Sequence, residues 1–95
     1  MRIKEKIGEP EEEIAGSYIG IGSIQIDMGS IEEAIVSLQK SLSIFSQLKN
    51  QKGIAASATN LGYAYRANGE LEKSIQTLKV AYEAEKMGGN DEGMI

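Results

Sequence analysis

The chain has 95 residues, 41% of them apolar and 25% charged, with a formal net charge of −4 and neither histidine nor cysteine. That length allows one small domain, and the missing side chains remove disulfides, thiolate nucleophiles, imidazole bases and nearly every structural zinc site. Ten basic residues set singly among fourteen acids form no stripe for nucleic acid, and no run of 18 apolar residues is present to span a membrane.

The opening "MRIKEKIGEP" alternates charge with isoleucine and lacks the uninterrupted apolar region of a signal peptide. The absence of cysteine fits a reducing, cytoplasmic setting, and it is also compatible with export. Residues 1–9, with Ile3 and Ile7 on one face, read as the tail of a preceding second helix and its linker. Pro10 suits a first helical turn, and Glu11, Glu12 and Glu13 follow at the positive end of the helix dipole. A solvated helix start explains this acidic triple better than a metal cluster does.

The next stretch, "GSYIGIGSIQIDMG" from Gly16 to Gly29, admits three readings. Gly20-Ile21-Gly22 resembles the front of a phosphate-cradling loop, the alternating isoleucines resemble a strand, and the whole resembles a glycine-rich helix. An internal repeat decides among them. Shifted by 40 residues, the chain aligns with itself without a gap from Ile14 onward. Ile14/Ile54, Ala15/Ala55, Ser17/Ser57, Gly22/Gly62, Gly29/Gly69, Glu32/Glu72, Ile35/Ile75 and Leu38/Leu78 are identical, and Asn50/Asn90 and Gly53/Gly93 keep the register. Self-similarity at such a period means stacked supersecondary units. In the second copy Ile54, Ala58, Leu61, Gly62 and Tyr65 share one face of an alanine-rich helix. Ile14, Tyr18, Ile21, Gly22 and Gln25 are their equivalents, so the first copy is the same helix and no phosphate loop. Three glycines at about 1 kcal/mol each make it a poor helix alone. Gly22 and Gly62 read as places where a neighbouring helix comes too close for a Cβ.

Each unit is then helix, tight turn, helix, with helices over about 10–28, 31–49, 53–68 and 71–87. Unit 1 covers 10–50, unit 2 covers 51–89, and 90–95 begins a further unit. Gly29 and Gly69 are left-handed caps of the first helices. Ser30 to Glu33 forms a capping box for the second helix of unit 1. Ile31, Ala34, Ile35, Leu38, Leu42 and Phe45 form a core stripe, as do Leu71, Ile75, Leu78 and Tyr82. The joint "LKNQKGIA" has one glycine and no proline, so Leu48 to Ala55 can straighten into one helix and invite domain swapping. Two units leave Ile3, Ile7, Met87, Met94 and Ile95 without cover. The expectation is a fragment of a longer array, or self-association through the exposed repeat ends.

Leu61-Gly62-x-x-Tyr65 followed by Leu78 and Ala81, and Tyr18-x-x-Ile21-Gly22 followed by Ala34-x-x-x-Leu38, resemble the tetratricopeptide repeat. That motif runs W-x2-L-G-x2-Y and then A-x3-F. The 40-residue spacing is similar to the longer variant of sensory and scaffold proteins. Ala58 stands where a large aromatic is usual, Gln25 replaces the tyrosine and Ser74 the small alanine, and the terminal proline is missing. The resemblance implies an all-α fold of stacked antiparallel helix-turn-helix repeats, an α-solenoid. It also implies a non-catalytic scaffold that takes a partner peptide or helix in a concave groove lined by the first helices. Mapped onto this chain, the groove set is Gly16, Ile19, Gly20, Ser23, Ile26 and Asp27 from unit 1. Unit 2 adds Ala56, Thr59, Asn60, Tyr63, Arg66 and Ala67. Ile19, Ser23, Asp27, Thr59, Asn60, Tyr63 and Arg66 are the candidate peptide contacts. Asn60 matches an asparagine that bonds an extended peptide's backbone in related arrays, since an amide both donates and accepts. Arg66 suits an acidic side chain and Tyr63 a stacking one. The bland alternative makes all seven solvated or neighbour-packing residues. By family analogy, a sensory segment of a histidine kinase or cyclase type of signalling protein is the alternative function, and a pure oligomerisation element is another. No cofactor is expected. Catalysis finds no support: G-x-S-x-G is absent, and Asp27 is the only acid placed toward the groove.

Overall fold

The computed structural model describes the backbone of residues 10–93 and the side chains of residues 10–88. Among these residues four helices follow one another: α1 Glu11–Met28, α2 Ile31–Leu48, α3 Gln51–Ala67 and α4 Leu71–Gly93. No strand occurs among the described residues, so the alternating isoleucines of Tyr18 to Ile26 are helical. Each helix packs on the next, and α1 also touches α3. Short turns between packed helices make two antiparallel hairpins lying side by side. The segment 1–9, read above as the tail of an earlier helix, lies outside the described residues, as do Met94 and Ile95.

Three turns break the chain, and each uses a left-handed or cap residue. Gly29 and Gly69 sit at φ 87° and 85°, which glycine adopts without a Cβ penalty. Beyond each, an amide reaches back to satisfy a helix-end carbonyl: Ser30 N–H to Gln25 O and Glu70 N–H to Tyr65 O, both at 2.8 Å. The joint between the units does not straighten. Lys49 takes φ 57° and Asn50 caps α3, its Oδ1 accepting from Gly53 N–H at 2.9 Å. The other end of that amide, Nδ2, donates to Glu12 Oε2 at 2.7 Å, which ties the turn to α1. An asparagine cap moves the start of α3 to Gln51, two residues earlier than its hydrophobic pattern indicates.

The capping box expected at Ser30 does not form. Its hydroxyl makes no cap bond, because Ser30 at φ −87°, ψ 67° is not in the extended conformation that aims it at the following amides. The Ser30 carbonyl instead accepts from Ala34 N–H at 3.0 Å. At the other end, α4 runs on to Gly93, through the Gly89-Asn90 pair that matches the Lys49-Asn50 turn. Continuing the helix keeps the backbone of that stretch paired.

The core lies at the junction between the units. Ala34, Ile35 and Leu38 of α2 meet Leu61, Ala64 and Tyr65 of α3, with Ile19, Ile26, Ile31 and Leu42 packed at its edge. Close approach demands glycine where it was expected. A Cβ on Gly22 would lie 2.6 Å from Leu38 Cγ, and one on Gly62 would lie 2.5 Å from Leu78 Cδ2. Gly53 is a third such place, its missing Cβ filled by the Phe45 ring. The serine in the small-residue position has its own use: Ser74 Oγ donates to the buried Gly62 carbonyl at 2.9 Å.

Two of the expected core faces are not core. Leu71, Ile75 and Tyr82 are exposed, and α4 buries Ser74, Ala81 and Ala84 instead. On α1, Ile21 is exposed while Ile14, Tyr18 and Gln25 are half-buried. The reason is the same at both places. A stripe in a stacked repeat is covered by the neighbouring unit, and among the described residues α1 touches the other unit only through α3, while α4 does not touch the other unit at all.

Candidate functional site

The first helices, α1 and α3, lie against each other, and this contact sorts the seven candidate residues. Ile19 is half-buried and packs on the core cluster, so it joins α1 to α3 and offers little to a partner. Ser23 is half-buried and Asp27 exposed. Thr59 and Asn60 are half-buried on α3, whereas Tyr63 and Arg66 stand in solvent. Thr59, Tyr63 and Arg66 follow one another at helical offsets of about one turn, so they share one side of α3.

A cleft of about 500 Å³ runs between the N-terminal half of α3 and the C-terminal half of α4. Thr59 and Asn60 line it, with Ala55 and Ala56 beneath and Ala84, Glu85 and Gly88 on the opposite wall. Lys52 and Gln51 close the end nearest the turn into α3. The structure thus brings two of the seven candidates together in one concavity, and Ile19, Ser23, Asp27, Tyr63 and Arg66 lie outside its lining. Small residues keep it open: a larger side chain at Ala55, Ala56 or Ala84 would fill it.

Asn60 is tied to its own helix on one side. Its Nδ2 donates to Ala56 O at 2.9 Å, and its Oδ1 accepts nothing among the described residues. The amide therefore presents a free acceptor and a second N–H at the wall of the cleft. The cleft also carries both signs of charge, Lys52 at its end and Glu85 across from α3. No group of acidic residues among those described is placed to hold a metal ion. The perturbed pair Glu70 and Lys73 sits elsewhere, after the α3–α4 turn. A hydrogen bond from Asn68 and the Lys73 ammonium at 3.1 Å hold the Glu70 carboxyl below its ordinary range, and the same carboxylate raises Lys73.

The wall from α4 was missed by reading the first helices alone. The signal was nevertheless present in the repeat, since Ala84, Glu85 and Gly88 match Ile44, Phe45 and Leu48. Phe45 covers Gly53 of the following helix, so its counterpart borders the place where a following helix would lie.

No helix among the described residues is long and apolar enough to cross a membrane. No curated protein and no solved structure matches the chain. A family model described as the tetratricopeptide repeat matches residues 13–86, which is more than half of the chain and covers both hairpins. Proteins built from this repeat are generally non-catalytic and mediate protein–protein interaction. With the 40-residue register, the stacked hairpins and the glycine contacts at Gly22 and Gly62, the match establishes that the chain belongs to the tetratricopeptide repeat family.

Proposed function

We propose that this chain is a cytoplasmic, non-catalytic scaffold that binds a peptide segment of a partner protein along α3. The peptide lies in the cleft over Ala55 and Ala56, and its backbone pairs with the Asn60 side chain. The observation that carries this reading is the Asn60 amide, half-buried at the wall of the cleft with its Oδ1 unpartnered. An apolar residue of the peptide fits over the alanines. Tyr63 and Arg66, further along the same side of α3, supply a stacking surface and a positive charge for the part of the peptide beyond the cleft. The α1 residues Ser23 and Asp27 border that course, and Ile19 supports it from below.

Selection of peptides from a random display library against the 95-residue chain, followed by calorimetry, tests the reading. Asn60→Ala is expected to weaken a selected peptide by about 1–3 kcal/mol, the cost of leaving a buried peptide group without its mate. Filling the cleft with Ala56→Arg is expected to abolish binding. Peptides that bind wild type and both variants equally would place the contact elsewhere and sink the groove reading.

A further inference from the structure

We propose that a second copy of this chain docks head to tail on the first. Its α1 takes on α3 and α4 the place that α3 takes on α1 and α2. The second copy borders the same cleft at Lys52 and Glu85, so it is an alternative occupant to the peptide there, and the inference rests on the two exposed apolar faces. On α4 the uncovered residues include Leu71, Ile75 and Tyr82, with Leu78 half-buried among them. Forty residues earlier, Ile31, Ile35 and Leu38 are the half of the internal junction that α3 covers. On α1 the uncovered residues are Ile21 and Ile24. Forty residues later, Leu61 and Ala64 are the half of the same junction that faces α2. Each copy therefore presents, at opposite ends, both halves of an interface that the chain already forms within itself.

The substitutions between the two versions preserve the fit. Where the internal junction buries Ala64 and Tyr65, the second copy offers Ile24 and Gln25, a larger and a smaller side chain in exchange for a smaller and a larger one. Charge agrees at the turn end. In the internal junction Glu12 of α1 meets Asn50, the residue that caps α3. The register places Lys52 of α3 beside Pro10 of the second copy, at the head of its Glu11–Glu13 turn. One position opposes this. Gly53 packs on Phe45 internally, whereas Glu13 of the second copy falls near Glu85, and this like-charge pair makes the contact between copies weaker than the internal one. A heterologous contact of this kind leaves a free head and a free tail, so association continues with concentration and does not stop at a dimer.

Light scattering and sedimentation of the 95-residue chain, from low micromolar to millimolar concentration, are expected to show a mass that rises past the dimer. A head variant, Ile21→Asp with Ile24→Asp, and a tail variant, Leu71→Asp with Ile75→Asp, are each expected to be monomeric, with association weakened roughly tenfold or more. Mixed in equal amounts they are expected to form a dimer and nothing larger, because the dimer joins the intact head to the intact tail and leaves only blocked faces. All four substituted residues are solvent-exposed, and circular dichroism checks that the helices persist. If a double variant loses helicity, the single changes Ile24→Lys and Ile75→Lys take its place. Asn60→Ala is expected to leave association unchanged, since its counterpart Gly20 has no neighbour within 4 Å of a Cβ. A wild-type chain that stays monomeric throughout overturns the proposal. So does a head or tail variant that still self-associates, as a contact between two like ends would allow, or a mixture that remains monomeric.

Discussion

Ile35 and Ile75 occupy the same position in two copies of one repeat, yet Ile35 is 9% exposed and Ile75 59%. Leu61 and Ile21 form the mirror case, at 3% and 45%. The sequences at these positions hardly differ, and both members of each pair lie on a helix. What differs is the neighbour. α2 and α3 are each packed by their own hairpin partner and by each other, whereas α4 is packed by α3 alone and α1 adds to α2 only a smaller contact with α3. In a stacked repeat an apolar stripe thus specifies a surface ready to be covered, and the adjoining unit decides whether it becomes core.

The largest effect that would sharpen this comparison is a matched truncation. Leu38 is fully buried between the two units, and Leu38→Ala is expected to cost about 3–5 kcal/mol in urea unfolding. Leu78→Ala, at the equivalent half-buried position, is expected to cost only about 1–2 kcal/mol. Equal losses would break the claim that the adjoining unit decides which copy of the stripe becomes core.

Glycines supply the next contrast. Gly53→Ala drives a methyl group into the Phe45 ring and is expected to destabilise by about 1–3 kcal/mol. Gly16→Ala, on the open side of α1 with no atom within 4 Å of the new Cβ, is expected to stabilise by about 0.5–1 kcal/mol. The thermal midpoints of the two variants should therefore move in opposite directions.

The smallest effect concerns the turns, where unit 2 has Glu70 and unit 1 has Ser30. Asn68 and Lys73 hold the Glu70 carboxyl below its ordinary range. A group shifted this way stabilises the fold above its unfolded pKa and loses that contribution as pH falls through the folded value. The pair is solvent-exposed, so the expected change is slight. Wild type should lose a little more stability between neutral and acid pH than Glu70→Gln does, and identical pH profiles would remove the turn from the account.

Much of the fold was legible along the chain because its signals are local or periodic. Gly29 and Gly69 mark left-handed turns that few other residues tolerate, and the 40-residue register showed that an apparent strand had to be a helix. Gly22 and Gly62 were readable as close approaches for the same reason, since a glycine kept inside an alanine-rich helix needs a packing cause. The Lys49-Asn50 turn was harder to see. It relies on a lysine in a left-handed conformation and on an asparagine whose two ends bond to Gly53 and Glu12, and the second of these is 38 residues distant. Of the candidate site, Thr59 and Asn60 were legible from the first helix, but the α4 wall was not, because a cleft requires two elements to be placed relative to one another.

By itself the sequence determined the helices, their order and most of their ends, through backbone preferences and apolar spacing that act within a few residues. Only the tertiary structure decided which stripes are buried, which glycines are indispensable and where a concavity opens. Those outcomes depend on how closely helices far apart in the chain approach, and burial is set by the neighbour as much as by the residue.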